Sequence, residues 1–275
     1  MWSVFLCARN WRVLRFGCRW CYAKLLYALL AVAMLFAIPC HAAEGRAPFA
    51  SLLAGGLSPV GLGGYGSTPA RYADPSYGVA YYWTDDVDES SWNLSIEFGS
   101  DAYRVGAFVA YLSMDSLYRD LYSELSYAHS WNRFVFGASY GLNMEWVPGE
   151  DFWTRHRFKG ALDFKWREIH LAGMLNGFTD EGVLPMVGVH WISDEAVSAY
   201  AESDFDYLYV SATFRWKFVE VHTSYRFPDF AVALQLSFSG AHWGASYAHG
   251  FKHNSIGWNG VHVTRWLRDG RRKIS

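Results

Sequence analysis

Hydrophobic and polar residues alternate over short stretches of this chain, and the stretch FRWKFVEVHTSYRF, residues 214–227, shows the pattern. Val219, Val221 and Tyr225 alternate there with polar side chains, whereas an amphipathic helix would space its apolar residues by three and four. A period of two indicates a β-strand with one apolar face and one polar face. The fold therefore has to provide an oily environment for one face and an aqueous environment for the other.

Fourteen segments of this kind follow one another from residue 78 onward, separated by turn residues. Most of them have the roughly 9 to 11 residues that a tilted strand needs to cross a bilayer. Their even number predicts an all-β fold, an antiparallel up-and-down transmembrane β-barrel of about 14 strands over residues 77–267, with about 12 strands as the alternative. The segments are 78–83, 91–98, 102–112, 118–130, 133–146, 153–165, 168–178, 184–192, 195–202, 206–215, 218–226, 230–238, 241–249 and 255–266.

The links between these segments alternate in length along the chain. Two-residue turns such as Trp131-Asn132, Trp166-Arg167 and Trp216-Lys217 interleave with longer links such as 84–90 and 147–152. An up-and-down barrel with one rim of tight turns and one rim of longer loops produces this alternation.

The two faces of each predicted strand differ in polarity. In 153–166, the residues Phe158, Leu162, Phe164 and Trp166 share one face, and charged residues occupy the other. We expect the apolar faces to contact lipid and the charged faces to line a lumen, because closure leaves no unpaired strand edge in hydrocarbon. The charged residues predicted to face the lumen are Glu145, Arg155, Arg157, Lys159, Asp163, Lys165, Glu168, His170, Glu220, His222 and Arg226.

Tryptophans near the strand ends predict aromatic girdles at the two membrane interfaces. Trp131, Trp166 and Trp216 lie at tight turns. The other rim is predicted to carry Trp83, Trp146, Trp153, Trp191 and Trp258.

Strand pairing predicts ion pairs inside the lumen, each favourable by about 0.2 to 1 kcal/mol. These charges have two interpretations. They are neutralised fillers of a polar interior, or the four cations within 155–165 form a ladder for an anionic solute or ligand headgroup. The predicted contacts place Lys165 opposite Glu168, Asp163 opposite His170, and Glu145 beside Arg155.

The N-terminal region has the order of segments found in secretory signals. Residues 1–24 carry five basic residues and no acid, and an apolar run extends from Leu25 to Pro39. This order predicts a signal peptide, residues 1–43, cleaved after Ala42 or Ala43, with an uncleaved anchor as the alternative. Together with a barrel, it predicts the outer membrane of a Gram-negative-type bacterium.

Removal of that segment changes the chemistry of the chain. All four cysteines lie within residues 1–43, so the exported chain would contain no thiol, disulfide or cysteine-bound metal. Five of the 24 basic residues also leave, and 19 remain against 26 acidic residues. This acidic balance argues against a nucleic-acid partner.

Residues 44–76 are too rich in glycine for a stable helix. Six of the glycines, Gly55, Gly56, Gly61, Gly63, Gly64 and Gly66, lie in one run. The run resembles the N-terminal glycine signature, of the type AxxLGMGGA, of long-chain fatty-acid transporter-like (FadL/PorV/PorQ-like) outer-membrane barrels, whose relatives include the barrel component of type IX secretion systems. These families continue to Asn-Pro-Ala, where this chain has Asp74-Pro75-Ser76. The resemblance implies a fourteen-stranded barrel with an N-terminal plug. A flexible periplasmic tail is the alternative.

Two SYAH tetrads, 126–129 and 246–249, raise the alternative of an outer-membrane enzyme that acts on lipid. A period of two places His129 and His249 on the apolar faces, away from Ser126 and Ser246. A nucleophile and its base must lie within hydrogen-bond reach, so we expect that the protein is not an enzyme.

The remaining functional hypotheses are two. The first is passive transport of a small hydrophobic or amphipathic compound, and the second is a non-transporting accessory of a protein secretion system. The expected partners are outer-membrane lipid, a small hydrophobic or anionic ligand, or secretion-system proteins. We expect no cofactor and no metal, because His156, His190 and His262 are isolated in the sequence, and we expect residues 268–275 to form a basic tail.

Overall fold

The computed structural model describes residues 68–70, 75–84, 89–100, 102–114, 117–179, 182–192, 196–228, 230–251 and 257–267. These residues contain 14 strands. They are β1 (Ser76–Thr84), β2 (Glu89–Gly99), β3 (Tyr103–Met114), β4 (Tyr118–Trp131), β5 (Phe134–Trp146), β6 (Trp153–Trp166), β7 (Ile169–Phe178), β8 (Gly182–Ile192), β9 (Val197–Ser203), β10 (Leu208–Trp216), β11 (Val219–Phe227), β12 (Ala231–Ser239), β13 (Trp243–Phe251) and β14 (Trp258–Trp266).

The strands form one closed antiparallel barrel in which each strand pairs with the strands before and after it in the chain. The barrel closes between β1 and β14, where Ser76 pairs with Trp266 and Thr84 pairs with Trp258. Closure gives every strand two hydrogen-bonded neighbours, which a bilayer requires. The predicted all-β, up-and-down barrel is confirmed, and the alternative of 12 strands is wrong.

The links form two rims. The loop rim consists of links 85–88, 115–117, 147–152, 179–181, 204–207, 228–230 and 252–257, and the turn rim consists of links 100–102, 132–133, 167–168, 193–196, 217–218 and 240–242. The loop-rim links have three to six residues and the turn-rim links have two to four. The two rims therefore overlap in link length, and the alternation is weaker than the sequence predicts.

Burial alternates along the strands with a period of two. In β2, the outward side chains of Trp92, Leu94 and Phe98 are exposed, with Leu94 at 54 %, whereas Asn93 and Glu97 are buried. Such an apolar outer surface would aggregate in water and is typical of a barrel that contacts lipid. Among the described residues, no helix is long and apolar enough to cross a membrane.

The strand register differs from the prediction at the tight turns. Lys165 pairs with His170 rather than with Glu168, and Asp163 pairs with Ala172. The turn is formed by residues 167–168, one position later than the sequence predicts, with Arg167 at φ 59°. The same displacement occurs at 132–133 and 217–218. Because each displacement changes the partner by two residues, the face assignments are preserved.

The tryptophan girdles are predicted correctly at the tight turns and wrongly at two other positions. Trp131, Trp166 and Trp216 are exposed at the turn rim. Trp191 lies at the end of β8, and therefore at the turn rim rather than at the loop rim. Trp258 is 2 % exposed and points into the barrel, because Gly250, its partner on β13, has no side chain to occupy that space.

The predicted signal peptide, the glycine run 55–66 and the basic tail 268–275 lie outside the described residues. Their assignments stay predictions.

Candidate functional site

The interior of the barrel is lined by the polar faces of the strands. Most side chains there are barely accessible, and Lys159 on β6 is 4 % exposed although its neighbour Phe158, which points outward, is 52 % exposed. A buried charge is costly unless it is paired and hydrogen-bonded. The partners of the interior charges therefore decide what the site can bind.

One group of partners spans β4, β6 and β7. Lys159 Nζ donates to Glu124 Oε2 over 2.6 Å, and Tyr122 OH donates to the same carboxylate oxygen. Arg157 Nε donates to Asn176 Oδ1 over 2.7 Å, and its guanidinium lies 5.7 Å from the centre of the Tyr122 ring. Two cations of the predicted ladder are thus bound to acceptors in the wall.

The other charged residues predicted around β6 have different surroundings. Arg155 Nε lies 3.8 Å from Glu145 Oε1, so the predicted contact between these residues forms. The side chains of Asp163 and His170 also meet, at 3.0 Å from Oδ1 to Nδ1, although the two residues are not direct cross-strand partners.

Lys165 and Glu168 differ from the prediction. Both are exposed, and Glu168 lies in the turn, where it accepts a hydrogen bond from Trp191 Nε1 at 2.9 Å. The predicted contact between Lys165 and Glu168 is therefore wrong. The pairing of Arg155, Arg157 and Lys159 with nearby acceptors favours the interpretation as neutralised fillers over a continuous cationic ladder.

A second polar group lies inside β8 to β11. His190 Nε2 and Glu202 Oε1 lie 2.8 Å apart, without hydrogen-bond geometry. Thr213 Oγ1 and His222 Nδ1 are hydrogen-bonded at 2.8 Å, and the ring of Tyr200 lies between the two imidazoles, 5.3 Å from His190 and 6.2 Å from His222. His190, which is isolated in the sequence, is fully buried.

The remaining predicted residues lie on β11. Arg215 Nε donates to Glu220 Oε2 over 2.9 Å. The guanidinium of Arg226 lies 4.7 Å from the centre of the Tyr207 ring, close to the loop rim. Arg215 and Glu220 are thus paired within the wall, as Lys159 and Glu124 are.

A short piece of the N-terminal region lies inside the barrel. Arg104 Nη2 donates to the carbonyl oxygen of Pro69 over 3.0 Å, while Arg104 Nη1 binds Glu97 at 2.8 Å. Ala70 packs against Ala128 and Val135 of the wall. We call residues 68–70 the inner segment. A small cavity beside it is lined by residues that include Thr68, Ser95, Glu97, Phe108 and Ser126.

The inner segment is the feature that sequence reasoning located least well. The sequence leaves open a plug or a tail for residues 44–76, and two of these residues, Pro69 and Ala70, contact the interior wall in the structure. Gly137 lies directly against the inner segment, because a Cβ there would meet Pro69 C and Ala70 N at 2.4 Å. Nothing in the sequence of β5 marks Gly137 as a contact for residues so distant in the chain.

The SYAH tetrads do not assemble a catalytic arrangement of serine and histidine. Ser126 and Ser246 point inward, whereas His129 and His249 are exposed on the outer face, as predicted. His249 Nδ1 is hydrogen-bonded at 2.9 Å to Asn259 Oδ1. Among the described residues, no group of three or more His, Cys, Asp or Glu side chains is arranged to hold a metal ion.

Comparisons with known proteins concern the fold. No protein-family model matches the chain. No curated protein matches it. The solved structure of the Acinetobacter baumannii outer membrane protein Omp33 is similar, with a TM-score of 0.52 and 8 % identity over 70 % of this chain and 99 % of that chain.

Two further solved structures are more distant. The KdgM porin has a TM-score of 0.42 and 11 % identity, covering 70 % of this chain and 99 % of its own. A triple mutant of the Rhodopseudomonas blastica porin has a TM-score of 0.42 and 11 % identity, covering 70 % of this chain and 98 % of its own. At these identities the likeness concerns architecture, and the chain has the barrel fold of the outer-membrane protein Omp33.

Proposed function

We propose that the protein is an outer-membrane channel that passes a small hydrophobic or amphipathic compound through a lumen narrowed by its own N-terminal region. The observation that carries the proposal is the hydrogen bond from Arg104 to Pro69 inside a closed barrel. A wall residue that binds the inner segment provides a contact that can be made and broken, which a channel with a gate needs.

The surface and the N-terminal sequence support this location. The outward faces expose large apolar side chains on all sides of the barrel, as a lipid-embedded barrel does. Barrels of this kind occupy the outer membranes of Gram-negative bacteria, and the signal-peptide pattern of residues 1–43 supports export.

The interior supports the proposed size and polarity of the solute. Side chains such as Lys159, His190 and His222 have almost no access to solvent, so the passage is narrow. Lys159 and His222 are hydrogen-bonded to the wall, and His190 lies 2.8 Å from Glu202, so the interior does not present a strong field of one sign. The resemblance of residues 55–66 to fatty-acid transporter-like barrels supports an amphipathic solute.

A second candidate function is a barrel that serves as an accessory of a protein secretion system and transports nothing. The observation that favours it is the same close filling of the interior. The two functions differ in solute flux through the purified barrel.

A flux assay separates them. The folded protein is reconstituted into liposomes, and uptake of octanesulfonate, an anionic amphipath that crosses lipid slowly, is compared with uptake of sucrose. We expect saturable uptake of octanesulfonate above that of empty liposomes, with sucrose close to background. Uptake of neither solute would favour the accessory, and rapid uptake of both would contradict a narrowed lumen.

A further inference from the structure

Two tight hairpins at the turn rim place a basic residue in a backbone conformation that such residues rarely adopt. Arg167 has φ 59° and Lys217 has φ 53°. Glycine and asparagine take this left-handed conformation at lower cost than residues with long side chains. The matched hairpin after β4 has Asn132 at φ 55°. Hairpin geometry alone would therefore favour asparagine at 167 and 217, and a cation there indicates a further role.

Each of these cations lies beside the tryptophan that precedes it. Lys217 Nζ is 5.1 Å from the centre of the Trp216 ring, and the guanidinium of Arg167 is 6.0 Å from the centre of the Trp166 ring. Both indoles are exposed on the outer surface, Trp216 at 61 % and Trp166 at 42 %. Indoles at strand ends lie at the level of the lipid headgroups, so the two cations are held at that level as well.

A third pair of a cation and an exposed indole lies on the same rim, and both of its residues belong to strands. The guanidinium of Arg265 is 5.2 Å from the centre of the Trp243 ring and donates to Tyr77 OH over 3.2 Å. Arg265 belongs to a strand rather than to a turn, so the arrangement of an exposed indole beside a cation recurs at this level on independent elements. We call the three pairs, 166–167, 216–217 and 243 with 265, the cationic girdle.

The charges of the two rims decide which ligand the girdle can approach. The loop-rim links contain 11 acidic residues and one lysine, whereas the turn-rim links contain four acidic and three basic residues. An anionic ligand therefore meets much less repulsion at the turn rim. Short turns face the periplasm in barrels of this type, and the leaflet on that side contributes phosphate-bearing headgroups.

We propose that the cationic girdle binds the headgroups of anionic phospholipids in the periplasmic leaflet. The phosphate accepts hydrogen bonds from Arg167, Lys217 or Arg265, and the adjacent indole packs against the glycerol and the upper acyl chain. A charge-assisted hydrogen bond to phosphate suits both arginine and lysine. The backbone strain at 167 and 217 is retained because asparagine would remove the charge.

The test uses a double variant that copies the matched hairpin. Arg167→Asn with Lys217→Asn is compared with the wild-type protein by native mass spectrometry of the folded full chain in neutral detergent, with equimolar phosphatidylglycerol and phosphatidylcholine. We expect the wild-type barrel to retain phosphatidylglycerol preferentially. Each cation near an anionic surface contributes about fivefold in binding, so the double variant should lose about fivefold of that preference at each of the two altered hairpins and keep it at Arg265.

The urea midpoint of unfolding distinguishes lipid binding from a purely structural role of the two cations. Because asparagine relieves the left-handed strain, the urea midpoint of the double variant should equal or exceed that of the wild type. If the cations only stabilise the hairpins, the midpoint falls and the lipid preference stays unchanged. That pair of results would overturn the proposal.

Two controls complete the test. The charge-preserving variant, Arg167→Lys with Lys217→Arg, should keep the preference. Asn132→Lys should add a site at its own hairpin with about a fivefold preference for phosphatidylglycerol, because it places a cation beside Trp131. A wild-type barrel that retains both lipids equally would refute the proposal.

Discussion

Gly137 offers the sharpest perturbation of the inner segment, because it lies on the wall of β5 where that segment passes. A Cβ at position 137 would stand 2.4 Å from both Pro69 C and Ala70 N, and Cβ atoms ordinarily keep 3.4 Å or more from such neighbours. Gly137→Ala therefore creates an overlap of about 1 Å, and Gly137→Val enlarges it. Either the segment or the wall has to move.

The magnitude follows from the cost of overpacking, which is about 1 to 3 kcal/mol. β5, which carries Gly137, is held by continuous ladders to β4 and β6, whereas residues 68–70 belong to no strand. The segment should therefore yield first. If the whole cost falls on its bound state, the ratio of open to closed channels rises by roughly 5- to 150-fold.

Single-channel recording in planar bilayers measures that ratio. We expect Gly137→Ala to raise the open probability and Gly137→Val to raise it further, with little change in the urea midpoint of the barrel. Gly160→Ala is the matched control, because Gly160 lies on the adjacent strand and a Cβ there would meet no atom within 4 Å. The reasoning is refuted if Gly137→Ala lowers barrel stability by about 1 to 3 kcal/mol and leaves conductance unchanged, since the wall would then have absorbed the strain.

Two further predictions concern the interior and the outer surface. Lys159→Met should lower the free energy of unfolding in urea by about 3 to 5 kcal/mol, because it leaves Glu124 as an uncompensated buried charge. Adding Glu124→Gln should restore most of this loss, and additive costs of the two substitutions would contradict the coupling. Leu94→Arg should cost about 2 to 4 kcal/mol in lipid vesicles, because Leu94 is exposed at the middle of β2, whereas Leu94→Phe should be nearly neutral; a cost below about 1 kcal/mol for the arginine would contradict a lipid-facing position.

The strands and their faces could be predicted because the information is local. Alternation within a segment such as 153–166 fixes which residues share a face, and it does not depend on the neighbouring strand. Phe158 and Leu162 are exposed and Arg157 and Lys159 are buried in the structure, in agreement with that pattern.

The register could not be predicted to the residue because the turns carry no recognisable signal. Asn-Gly or Asp-Gly would mark a two-residue hairpin, whereas Arg167 and Lys217 occupy the left-handed position here. The sequence pattern therefore predicts each turn one residue early. This error moved the partner of Lys165 from Glu168 to His170 and left every face in place.

The prediction for Trp258 is wrong because it relies on the interfacial preference of tryptophan instead of the alternation along β14. Its position has the same parity as His262 and Thr264, which also lie on the inner face of β14, so the alternation itself indicates an inward side chain. The preference of tryptophan for the interface suggested the opposite. The deciding factor is Gly250 on β13, whose missing side chain leaves room for the indole.

Contacts between residues that do not lie on paired strands could not be predicted from the strand pairing. Lys159 and Glu124 belong to β6 and β4, which are separated by β5, so their ion pair depends on the curvature of the wall and the length of the lysine side chain. The contact of Arg104 with Pro69 spans 35 residues of sequence. Such pairs require coordinates.

The central claim is that apolar side chains face lipid and polar side chains face the lumen, and adjacent positions on β2 test it directly. Residues 44–275 contain no cysteine, so Leu94→Cys and Ser95→Cys each introduce a unique site for a nitroxide spin label in a protein expressed from residue 44 onward. In lipid vesicles, collision of the label with oxygen, which concentrates in the bilayer, is compared with collision with a water-soluble nickel chelate. The account predicts high oxygen and low nickel accessibility at position 94 and much lower oxygen accessibility at position 95, and the reverse order would contradict it.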